Sequence, residues 1–173
     1  MESEKLINML RECSNVRRCH NLPHHGEYTV GKHSFDAAIL LMVLHPDAST
    51  NLLKAVLVHD FGERWCGDLP APVKWCDGEF AKRSAELEQR CIENIGLDFF
   101  SLLSPEERVW LKAVDSIDLL LWAKEQWAMG NQMVKLMIDN LTKFFERTEM
   151  PIAARRFVQN HEWFRTSDNL PGK

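Results

Sequence analysis

The chain has 173 residues, 45% of them hydrophobic and 27% charged, which fits one globular domain and excludes a disordered or fibrous chain. A formal net charge of −4 argues against nucleic acid as a partner, although a few local cations can still hold a small anion. No secretory signal is visible. The longest apolar run, Ala37 to Leu44, is far shorter than the roughly 20 residues that cross a bilayer, so no membrane partner is expected. Five cysteines without a CxxC pair read as free thiols in a reduced, cytoplasmic setting.

In chain order, nearly every informative segment reads as helix. Leu6, Met9 and Leu10 mark a first amphipathic stretch, followed by a polar loop from about Asn15 to Val30. A second helix is expected from Val30 to His45, stopped by Pro46. Ser49 or Thr50 caps a third, which carries Leu52, Leu53, Val56 and Leu57 and ends near Phe61–Glu63. After a loop with Gly67, Pro70 and Pro72, a fourth runs from about Glu79 to Ile95, with Gly96 as its stop.

Ser104-Pro105-Glu106-Glu107 is a helix start with a capping box, and the fifth helix runs from it towards Gly130. Two more segments are expected, about Gln132–Arg147 and Ile152–Trp163. Alternating strand patterns are essentially absent. The fold class is therefore all-α, with one domain over residues 1–165 and a frayed tail over 166–173.

His59-Asp60 closes an apolar helix, where a His beside an Asp is costly unless both are paired. A metal ion meets that cost, since imidazole nitrogen and carboxylate oxygen both ligate Zn²⁺, Mn²⁺, Co²⁺ or Fe²⁺. His33 and Asp115 can supply two further ligands, with Asp118, one turn on, as the rival of Asp115. His20, His24 and His25 lack an acidic partner at ligand spacing and read as loop residues.

The order His33, His59-Asp60, Asp115 resembles the H…HD…D pattern of HD-domain phosphohydrolases. Three strings carry the likeness over about residues 14 to 125: Thr29-Val30-Gly31-Lys32-His33-Ser34, His59-Asp60-Phe61-Gly62-Glu63, and Gly67-Asp68-Leu69-Pro70-Ala71-Pro72-Val73-Lys74. They are similar to bacterial 5′-deoxynucleotidases. Arg18-Cys19-His20-Asn21 looks more like short HD proteins of bacteriophages, among them dATP triphosphohydrolases. The resemblance implies a helical bundle of about six to eight helices holding one divalent cation (Zn, Mn, Co, Mg or Fe). It also implies a (deoxy)nucleotide substrate cut at the 5′-oxygen to give deoxynucleoside plus phosphate or triphosphate.

By the same resemblance, Glu63 orients or deprotonates the attacking water, with Asp60 beside it among the catalytic residues. Arg18 (with Arg17 as its rival) binds phosphate, Asp68 meets the sugar 3′-hydroxyl, and Lys74 adds positive charge. This chain departs from the family at Cys19, where Trp is usual, and at Lys32, where Glu is usual. The absence of His between Phe61 and Val114 argues against a two-metal phosphodiesterase. The intact ligand set argues against a non-catalytic nucleotide sensor. Apolar and aromatic residues in the later helices point to a homo-oligomer.

Overall fold

A computed structural model of the protein describes residues 3–70 and 76–160. Lys74 and the tail expected from 166 lie outside the described residues. Helices α1 (Ser3–Cys13), α2 (Val30–Leu44), α3 (Thr50–Val58), α4 (Glu63–Cys66), α5 (Gly78–Asn94), α6 (Pro105–Ala128), α7 (Lys135–Arg147) and α8 (Ile152–Asn160) follow in order. Short 3₁₀ turns cover Phe100–Leu102 and Gln132–Val134. Among the described residues, the sole extended pairing is one antiparallel bridge between Arg17 and Thr29. None of the described helices is long and apolar enough to cross a membrane.

Local chemistry sets the helix starts. Thr29 accepts a hydrogen bond from the Lys32 amide at the head of α2, and Ser49 accepts one from Leu52 at the head of α3. At the head of α6 the capping box is complete: Ser104 Oγ accepts from Glu107 N (3.2 Å), and Ser104 N donates to Glu107 Oε2 (2.8 Å). Ser49 Oγ also donates to Glu107 Oε1, tying the two helix heads together.

The main core lies between α2, α3, α6, α7 and α8, with Leu41, Leu52, Val114 and Ile117 fully buried in it. A second cluster of Met9, Cys13, Val30, Phe61 and Ile92 joins α1 and α5 to the turn after α3. Burying one such Leu or Ile side chain stabilises the fold by about 2 kcal/mol.

Two expected elements differ in detail. The third helix ends at Val58, and Glu63 opens the separate short helix α4. Gly62, in the turn between them, is buried, and a β-carbon there would lie 2.6 Å from the Cα of Glu88 on α5, so α5 packs directly against this turn. The segment expected to be helical from Gln132 begins as a 3₁₀ turn, because Asn131 caps Met133 with its side chain (3.0 Å).

Candidate metal centre

Three elements bring the site together. His33 comes from the first turn of α2, His59 and Asp60 from the turn after α3, and Asp115 from the middle of α6. One ligand atom from each of His33, His59 and Asp60 falls within 4.8 Å of the others. Asp115 Oδ1 lies 3.3 Å from His33 Nε2 and 3.8 Å from His59 Nε2. His33 is fully buried, whereas His59, Asp60 and Asp115 are partly open to solvent.

The hydrogen bonds behind the two imidazoles decide what faces forward. His59 Nδ1 is 2.8 Å from the Val56 carbonyl, which can only accept, so Nδ1 carries the proton. His33 Nδ1 is 2.6 Å from Asp118 Oδ2, and an ionised carboxylate likewise only accepts. In neutral rings both lone pairs therefore sit on Nε2, and the two Nε2 atoms are 3.2 Å apart. Bare nitrogens at that distance, beside two carboxylates, repel unless a metal cation or a shared proton lies between them. Two nitrogens each about 2.1 Å from one ion stand roughly 3.0–3.4 Å apart in octahedral or tetrahedral arrangements. The donor set fits a divalent metal.

Electrostatics point the same way. Burial disfavours the charged form of His33, but the carboxylates of Asp115 and Asp118 outweigh it and raise its pKa to about 9. His59 is also raised, burial being outweighed by Asp60 and Asp115. Burial would raise Asp115, yet Lys112, His33 and His59 hold it well below the ordinary carboxylate range. Asp60 is held low against burial by His59 and Arg18. This is a pocket that collects positive charge.

Arg18 and Glu63 complete the floor. Both are buried, at 8% and 3% exposure. Arg18 Nη1 pairs with Asp60 Oδ2 and lies 3.9 Å from Glu63 Oε1, while Arg18 Nε is buried without a hydrogen-bond partner among the described residues. Its neighbour Arg17 is exposed, pairing by backbone with Thr29. Glu63 was expected to reach the site on a continuous helix; it arrives instead at the start of α4, after the turn.

Asp68 Oδ2 accepts from the amide of Cys19 (2.8 Å). Cys19 itself adopts a left-handed φ of 52°, a conformation uncommon for a residue other than glycine. Asp68 and Arg18 are thus held on adjacent residues' supports. His20 and His25 are exposed, and His24 packs edge-on against Trp122, so none of the three joins the cluster.

Sequence reasoning gave no role to Tyr28 and left Asp118 undecided. Tyr28 is the chain's single tyrosine, and its hydroxyl donates to Asp118 Oδ2 (2.8 Å). The spacing 115, 118, 122, 126 was the available signal. It puts Asp115, Asp118, Trp122 and Gln126 on one face of α6. Each meets the segment 17–33: Asp115 at His33 Nε2, Asp118 at His33 Nδ1, Trp122 stacked on Tyr28, and Gln126 bonded to the backbone of His25.

The chain is similar to known proteins over most of its length. The model of the family described as 5′-deoxynucleotidase YfbR-like matches residues 5–161. No curated protein sequence matches. Among solved structures, an HD-domain phosphohydrolase of Listeria innocua shares 22% identity at a TM-score of 0.74, over 92% of this chain and 87% of that one. The cyanophage S-2L HD phosphohydrolase DatZ, bound to dA and one catalytic Zn²⁺ ion, shares 15% at a TM-score of 0.67, over 92% and 93%. A conserved hypothetical protein from Pyrococcus furiosus shares 19% at a TM-score of 0.73, over 91% and 98%. The fold is that of the HD-domain phosphohydrolases.

Proposed function

Because the chain belongs to the 5′-deoxynucleotidase YfbR-like family, we propose that it hydrolyses deoxynucleotides at the 5′-oxygen, with one divalent cation held by His33, His59, Asp60 and Asp115. The observation that carries this reading is the 3.2 Å approach of two Nε2 atoms whose partner nitrogens are both committed to acceptors. The family supports the reaction class, and the single Zn²⁺ and dA of the cyanophage neighbour support one cation and a deoxynucleoside product.

Bound there, a divalent cation supplies positive charge that acidifies water and offsets charge developing on phosphoryl oxygens. The protein's own groups do the rest. Glu63, buried beside Arg18, accepts the proton of the attacking water. As water oxygen bonds to phosphorus, the bond from phosphorus to the 5′-oxygen breaks, and that oxygen leaves with a proton from solvent or Glu63. Arg18 offers its unpartnered Nε to a phosphoryl oxygen, and a rigid guanidinium placed in a buried floor needs no reorganisation.

Asp68, fixed by the Cys19 amide, accepts from a sugar hydroxyl. Lys74, outside the described residues, adds positive charge beside the phosphates. The product is either phosphate or triphosphate. Incubating purified protein with dNMPs and dNTPs, and resolving phosphate from triphosphate, tests the reading. Release of deoxynucleoside with one of the two is expected; no release from any member of the panel overturns it.

A further inference from the structure

One buried acid on α6 is left over once the cluster is built. Asp118 is 3% exposed, sits on the far side of His33 from the cluster, and among the described residues its carboxylate bonds only to Tyr28 and His33. Its Oδ2 receives two donors at once, Tyr28 O–H at 2.8 Å and His33 Nδ1 at 2.6 Å. Tyr28 Oη is also 3.3 Å from His33 Nδ1, so the three groups form one buried triangle. The hydroxyl proton goes to the carboxylate, so the tyrosine cannot compete for Nδ1 as a donor.

The triangle is itself braced. The Tyr28 ring is 1% exposed and stacks on Trp122 at 4.7 Å and 12°. His24 meets the same Trp122 edge-on at 5.4 Å. Tyr28 also spans the loop at both ends, because its carbonyl accepts from the Arg18 amide (2.8 Å). The orientation of the His33 ring is thus set from behind by an anion on α6 and a phenol on the loop that carries Arg18.

The two imidazoles of the cluster are supported differently. His59 donates to a neutral backbone carbonyl, Val56 O, whereas His33 donates to a carboxylate. An acceptor bearing full negative charge raises the electron density of the ring more than a carbonyl does, and fixes the same tautomer. His33 is therefore the better donor of the pair, and its quality depends on a side chain that mutation can reach.

We propose that Asp118, seated by Tyr28, is the positioning residue for His33: it holds the proton on Nδ1 and presents the Nε2 lone pair to the cation. This rests on the reading of His33 as a ligand. The role is distinct from that of Asp115, whose Oδ1 faces the Nε2 side of the same ring at 3.3 Å. A residue that merely filled space between α2 and α6 would affect stability without changing affinity for a cation. A positioning residue changes affinity even where stability is matched.

The test uses the full chain, freed of metal, with Zn²⁺ as probe. Zn²⁺ affinity is measured by chelator competition for wild type, Asp118→Ala, Asp118→Asn and Tyr28→Phe, alongside the melting temperature of each metal-free form. Loss of such an outer partner weakens metal binding by roughly 10–100-fold, the expectation for Asp118→Ala. Asn still offers a carbonyl oxygen to Nδ1–H, so Asp118→Asn loses less, and Tyr28→Phe less again. Histidine ¹⁵N spectra of the zinc-loaded protein are expected to show a protected Nδ1 proton on His33 in wild type and Asp118→Asn, and its loss in Asp118→Ala.

Failure of the wild type to bind Zn²⁺ overturns the ligand reading and this inference with it. Wild-type affinity in both Asp118 variants, with tight binding in the parent, overturns the positioning role alone. If Asp118→Ala does not fold, Asp118→Asn decides the matter by the same criterion.

Discussion

A β-carbon placed on Gly62 would lie 2.6 Å from both the Cα and the Cβ of Glu88, so the turn after Asp60 and helix α5 meet backbone to backbone. The φ of Gly62 is an ordinary −57°, which means that the glycine is needed for space and not for conformation. Gly62→Ala must push α5 away, at a cost of about 1–3 kcal/mol typical of overpacking. Because Asp60 and Glu63 flank the turn, activity falls with stability. Urea denaturation of the variant checks this, and an unchanged midpoint would contradict it.

Glu63, proposed to take the proton of the attacking water, is buried and is not among the proposed ligands. Glu63→Gln keeps the shape and removes the base. Loss of a general base typically costs roughly 10²–10⁴-fold in rate. The variant is expected to bind one equivalent of Zn²⁺ and to lose kcat by that order. Wild-type turnover in a zinc-loaded Glu63→Gln protein would remove Glu63 from the reaction.

Much of this site was legible in the chain, for a physical reason. His and Asp side by side after Leu57-Val58 break the apolar pattern at a cost, and such breaks show in one dimension. The Ser104–Glu107 capping box was equally plain, because a cap is a local interaction three residues long. The contacts of Asp115 and Asp118 could not be separated from spacing. Both lie on one face of α6, and only the position of the His33 ring shows that they meet opposite nitrogens. Tyr28 was silent because its partner is 90 residues away. The close approach of α5 to Gly62 was hidden too, since its partner Glu88 is far along the chain.

Glu107 provides a pH signature away from the metal centre. Its hydrogen bonds from the Ser49 hydroxyl and the Ser104 amide hold its carboxyl below the ordinary value of 4.5. A carboxylate depressed in the folded state adds stability above its unfolded pKa and loses it as pH falls through the folded value. Glu107→Gln is therefore expected to lower stability by up to about 1 kcal/mol at pH 7, the size of a helix-cap effect. The gap between variant and parent closes as pH falls through the lowered carboxyl pKa. Thermal melts across that range test it, and a gap that widens on acidification would contradict the sign.

Asp60 pairs with the Arg18 guanidinium and is proposed to ligate the cation. Asp60→Asn keeps the volume and removes the charge, so it is expected to lose bound metal and activity together. Metal analysis of the purified variant reads this directly. Retained metal at wild-type stoichiometry would take Asp60 out of the ligand set.

The central claim is that His33, His59, Asp60 and Asp115 hold one divalent cation on which nucleotide hydrolysis depends. Titrating Zn²⁺, Mn²⁺ or Co²⁺ into chelator-stripped protein, while following release of deoxynucleoside from dAMP and dATP, tests it most directly. Activity is expected to be absent without metal and to rise to a plateau at one equivalent per chain. Full activity in the stripped protein, or a plateau at two equivalents, would contradict the claim.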